Sequence, residues 1–95
     1  MTKKKYDTHH YKEHYNTQMQ YYKNVPLQLI VYSEPHFARL KAKRFTINNT
    51  NQNVWIPNCY LEPDGTIKNF VNIDFIFYKH KRQLELAGIT FNPQY

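Results

Sequence analysis

The chain contains a single cysteine, Cys59, and only two glycines in 95 residues. One thiol cannot close an internal disulfide, and alone it cannot assemble a zinc site. The fold must therefore be held by packing and hydrogen bonds, as suits a reducing compartment. There is no glycine-rich phosphate loop, no Walker lysine and no GxSxG. No apolar run approaches the about 20 residues that cross a membrane. The basic start Met1–Lys5 runs into polar residues, where a signal peptide would have an apolar stretch. These absences predict a cytoplasmic protein with no membrane partner and no cofactor.

Acidic residues are also scarce. Seven Asp and Glu stand against thirteen Lys and Arg, for a net charge of +6. Between Glu34 and Glu62 there is no carboxylate, while Arg39, Lys41, Lys43 and Arg44 fall in that stretch. Lys79-His80-Lys81-Arg82 and Lys3-Lys4-Lys5 are two further cationic clusters. A solvated basic face accounts for any one of them. Three, with few acids between, make a field that attracts phosphate or an acidic protein surface.

What is abundant is aromatic: nine Tyr, six Phe and one Trp. Tyr brings apolar area with a hydroxyl that needs a partner, which suits either a core with wet edges or a ligand-facing surface. Lys, Asn, Ile, Tyr and Phe are the residues of AT-rich codons, with only three Ala against them. That bias suggests a low-GC bacterium, or a phage or plasmid within one.

Read along the chain, residues 1–6 form a basic flexible tail and residues 7–95 a single α+β domain. Asp7 or Thr8 caps a helix to about Lys23, with Tyr11, Tyr15, Met19 and Tyr22 at helical spacing. Leu27–Tyr32 alternates as a strand with Leu27, Leu29 and Val31 on one side. Residues 36–47 fit both a helix opened by Ser33 and Pro35 and a strand; the reading adopted is a helical or irregular start, then a strand from about Leu40. Asn48–Asn53 is a turn, and Val54–Leu61 is a strand that Pro57 places at an edge or bulge. Glu62-Pro63-Asp64-Gly65 predicts a type I turn that folds Val54–Leu61 against Thr66–Phe70. Asn72–Ala87 is a helix with Asn72 as cap and Gly88 as stop, and Ile73, Ile76, Phe77, Leu84 and Ala87 form its apolar stripe. The expected architecture is a small antiparallel sheet of three to four strands packed against this C-terminal helix, with an additional N-terminal helix.

Two surfaces are candidates for binding. On the back of the C-terminal helix, Phe75, Lys79, Arg82 and Leu86 lie together, with Tyr78 beside them and Lys81 in the same cluster. Rings beside cations are what stacking on bases and contact with phosphates require; the ordinary explanation is a helix buried on both sides. The second candidate is Arg39, Lys41, Lys43 and Arg44, with Phe45 and Trp55 nearby on paired strands. The Asn-rich loop at its end needs no explanation beyond loop polarity.

Catalysis and metal binding find little support. His10 and His14 are spaced to share one helical face, but no third ligand and no HExxH accompanies them. They read as a polar face, and His80 reads as a satisfied core residue. Cys59 has no histidine close in sequence to activate it. The sequence therefore predicts a non-enzymatic binder of nucleic acid, DNA or RNA. The alternative is a phage- or mobile-element-encoded inhibitor or adaptor that docks on an acidic surface of a host nucleic-acid-processing enzyme. A homodimer would cover some of the Tyr-rich surface.

Overall fold

The computed structural model describes residues 16–31 and 40–93. Four strands form one antiparallel sheet in sequence order: β1 (Gln20–Tyr22), β2 (Val25–Leu29), β3 (Ala42–Ile47) and β4 (Asn53–Pro57). A 3-10 turn follows at Asn58–Tyr60, then two short helices, α1 (Asp74–Lys79) and α2 (Lys81–Leu86). The α+β meander agrees with the sequence. Most of the anticipated N-terminal helix lies outside the described residues, and its last part is not helical. Gln20–Tyr22 is instead a strand paired with β2. Tyr22 there stacks on Phe77 with centroids 4.9 Å apart, so tertiary packing outweighs a weak helical preference.

Register follows from which side chains must be dry. Leu27 lies opposite Ile47, Leu29 opposite Phe45, and Phe45 opposite Val54. These pairs put Tyr22, Val25, Leu27, Leu29, Phe45, Ile47, Val54 and Ile56 on one face, all buried. Side chains alternate across a sheet, so Tyr21, Pro26, Gln28, Arg44, Thr46 and Trp55 occupy the other. Ile73, Ile76, Phe77, Leu84 and Ala87 close the core from the helical layer, as their periodicity predicts.

The turns carry the remaining instructions. Lys23 and Asn24 link β1 to β2, with Lys23 in left-handed backbone (φ 54°). Asn48 and Asn49 are both left-handed at the start of the β3–β4 loop (φ 51° and 58°), a conformation Asn tolerates. Asn48 also donates its side-chain amide to the Ala87 carbonyl at 2.8 Å, tying that loop to the end of α2. The Glu62–Gly65 turn forms as expected: the Gly65 N–H donates to the Glu62 carbonyl at 2.9 Å, and Asp64 Oδ1 accepts from the Thr66 N–H. That backbone bond is the main cause holding the Asp64 carboxyl below its ordinary pKa. The anticipated hairpin is shorter than expected. The strand ends at Pro57, and only Leu61 and Ile67 pair beyond the 3-10 turn.

The C-terminal helix is interrupted. The helix starts later than expected: Ile73, not Asn72, is its N-cap and no side chain caps it, while Asn72 Oδ1 accepts the Asp74 N–H at 3.1 Å from just before the helix. Gly88 (φ 83°) stops α2, with its N–H on the Glu85 carbonyl and the Ile89 N–H on Leu84, the bonding of a Schellman motif. Between them, His80 departs from helical backbone (φ −107°, ψ 31°). Its ring Nδ1 is 2.8 Å from the Ile76 carbonyl, an oxygen that also accepts its own backbone N–H. A side chain that bonds its own helix loosens that turn, so one long helix becomes two.

At the sheet–helix junction, Asp74 is buried. Tyr22 donates its hydroxyl to Asp74 Oδ1, and Lys23 Nζ pairs with Oδ2 at 2.9 Å. The Tyr22 oxygen accepts the Ile73 N–H in turn. Buried carboxylates persist when paired and hydrogen-bonded in this way.

Candidate nucleic-acid interface

The two-layer architecture decides where each candidate residue goes. The apolar stripe of α1 and α2 faces the sheet, so their other side faces outward. Phe75, Tyr78, Lys79, Lys81, Arg82 and Leu86 are all exposed there. The alternative of a helix buried on both sides is thereby excluded for these residues.

Two of the exposed rings are braced from below. Phe75 meets Tyr60 edge-on at 6.1 Å, and Tyr78 meets Phe91 edge-on at 5.3 Å. Both stay about half open to solvent, at 55% and 49%. Bracing limits the rotamer entropy that a ring loses when a ligand stacks on it. Lys79, Lys81 and Arg82 make no ion pair among the described residues. Their charge is uncompensated, and an anion meets it directly. His80 is half-buried and bonded to Ile76, as the sequence reading has it.

The second candidate surface is divided by the sheet. Arg39 lies outside the described residues. Lys41 is exposed just before β3. Lys43 and Arg44 are consecutive in a strand, so they point to opposite faces. Lys43 sits across from Ile56 on the core side. There it is half-buried, donates to Asn58 Oδ1 at 3.0 Å, and has its pKa lowered by that burial. Phe45 is fully buried, so its ring is part of the core. Arg44 points the other way, directly opposite Trp55, which is 40% exposed. The side-chain Nε of Arg44 is buried without a hydrogen-bond partner.

Arg44 and Trp55 thus lie on the outer face of the sheet, while the helical residues lie on the far side of the helical layer. The core separates the two groups. The two candidate surfaces stay apart, and the helical one holds more exposed cations. In the Asn loop, Asn48 holds the end of α2 and Asn53 donates to the Asn51 carbonyl. Among the described residues, no three His, Cys, Asp or Glu side chains gather as a metal site, and no helix is long and apolar enough to cross a membrane.

One exposed ring is absent from the candidates read from the sequence. Phe70 is fully exposed and has left-handed backbone (φ 67°). Reading Thr66–Phe70 as a strand concealed it, because a strand would turn every second side chain inward. Comparison with family models, curated proteins and solved structures finds no match.

Proposed function

We infer that this chain is a non-enzymatic nucleic-acid-binding protein whose ligand lies across the outer side of α1 and α2. One observation carries the reading: Phe75, Tyr78, Lys79, Lys81 and Arg82 stand exposed together on a layer whose inner side already closes the core. The three cations neutralise phosphates and the two rings stack on bases. Low-GC bacteria and their phages remain the proposed origin, on codon-biased composition alone. The test is fluorescence anisotropy with labelled DNA and RNA across a salt series. Each phosphate neutralised contributes a slope of roughly 0.7 to 0.9 in log affinity against log salt. The triple variant Lys79→Ala/Lys81→Ala/Arg82→Ala is expected to flatten that slope by about 2. Wild-type protein that binds no single strand, duplex or RNA at low salt overturns the reading.

A second reading is favoured by the separation of the Arg44–Trp55 patch from the helical one. Two patches with no shared groove suit docking on an acidic surface of a host nucleic-acid-processing enzyme, where Tyr, Trp and Arg dominate binding energy. Pull-down from a low-GC host distinguishes it. A specific partner lost on Trp55→Ala, with no oligonucleotide binding, favours this second reading.

A further inference from the structure

Phe70 is the most costly surface residue among those described. A bulky side chain in left-handed backbone is strained, and full exposure of the ring forgoes the gain of burial. Neither cost is repaid by a ring contact among the described residues. The position is one at which glycine would relieve the strain.

Its surroundings indicate what the ring is for. Lys68, two residues earlier, donates its backbone N–H to the Tyr60 carbonyl, and Tyr60 braces Phe75. The Phe70 loop therefore runs from a bond with the Tyr60 backbone to the start of α1, the helix that carries Phe75. From Thr66 to Pro93 the exposed charges are Lys68, Lys79, Lys81 and Arg82 against Glu85 alone, since Asp74 is buried and paired with Lys23. This end of the molecule is cationic and carries open rings.

We propose that Phe70 is a stacking residue and that the ligand of this surface is single-stranded nucleic acid, its phosphates on the cations and its splayed bases on Phe70 and Phe75. The inference rests on the nucleic-acid reading above and narrows it. A helix that reads a duplex in the major groove presents polar groups to base edges. Here α1 and α2 have six residues each, and beside Lys79, Lys81 and Arg82 their outer side carries the apolar Phe75 and Leu86 and the ring of Tyr78. Apolar rings cannot read base edges by hydrogen bonding, but they stack on any unpaired base. Phe70 extends that row of rings beyond the helix, where an unpaired strand meets it without having to open a duplex.

Phe70→Gly separates function from folding, because glycine accepts the positive φ and removes only exposed ring. The full chain is assayed against labelled thymidine and uridine oligomers of about 20 nucleotides, long enough for several stacked bases, and against a duplex of equal length. The expected result is single strand preferred to duplex, with the thymidine and uridine arms telling DNA from RNA. Phe70→Gly should weaken single-strand binding by about tenfold or more, keep the wild-type salt slope, and unfold at the same or a higher temperature. Duplex bound as tightly as single strand, or Phe70→Gly binding like wild type, overturns the inference while leaving nucleic-acid binding intact. No binding to any oligonucleotide overturns both. Equal binding to polyglutamate at the same salt assigns the surface to an acidic protein partner and also overturns the inference.

Discussion

A single phenol joins the two layers. Tyr22 ends β1, stacks on Phe77 of α1, donates to Asp74 and accepts from the Ile73 N–H. Burial, followed by the hydrogen bond to Asp74, pushes its pKa up from 10.0 to about 12. The folded state therefore keeps the phenol proton to higher pH than the unfolded chain does. Linkage then gives stability that is complete below pH 10 and is lost as pH rises toward 12. Tyr22→Phe is expected to cost about 1–3 kcal/mol at neutral pH, since Asp74 and the Ile73 N–H each lose a buried partner. In urea unfolding, the gap between wild type and variant should narrow across that alkaline window. A gap that stays constant contradicts the assignment. None of this arrangement was legible beforehand. Tyr22 falls in step with Tyr15 and Met19 as a helical stripe, and Asp74 looks like an ordinary first-turn carboxylate. What joins them is the packing of β1 against α1, segments about fifty residues apart in sequence, which local periodicity does not encode. Phe70 was hidden for a related reason: no Gly or Asn at that position announces its left-handed backbone.

Elements bounded by strong local chemistry were read correctly, and those bounded by tertiary demand were not. The Glu62–Gly65 turn, the Gly88 stop and the stripe Ile73, Ile76, Phe77, Leu84 and Ala87 stand where their residue types place them. The break at His80, where the ring Nδ1 lies 2.8 Å from the Ile76 carbonyl, is marked by no Gly or Pro in the sequence. The turn also has a tertiary role. A Cβ on Gly65 would come within 2.7 Å of Leu29 Cδ2, so the turn packs directly onto β2. Gly65→Ala is expected to destabilise the fold by about 2 kcal/mol or more. The positive φ (92°) strains any side chain there, and buried Leu29 must shift to admit it. Thermal or urea unfolding checks this. A variant within about 0.5 kcal/mol of wild type would show that the turn is less firmly seated.

The whole molecule presents two unlike outer surfaces. The helical one carries Phe75, Tyr78, Lys79, Lys81 and Arg82. The sheet surface carries Arg44 against Trp55. Charge counts alone do not divide the strand cations, because sequence clusters say nothing about which side of a strand each cation takes. Lys43 and Arg44, adjacent in the chain, point to opposite sides. Phe75, Tyr78, Lys79, Lys81 and Arg82 are exposed because helical periodicity sets the apolar stripe apart from them.

Trp55 provides an internal control on the far side. The most direct measurement is a nitrogen–proton correlation NMR titration of the full chain with a single-stranded oligonucleotide at low salt. The account predicts shifts concentrated in residues 68–86, with the indole N–H of Trp55 unmoved. Shifts centred on Trp55 and β3 with the helices silent, or no shifts at all, would contradict it.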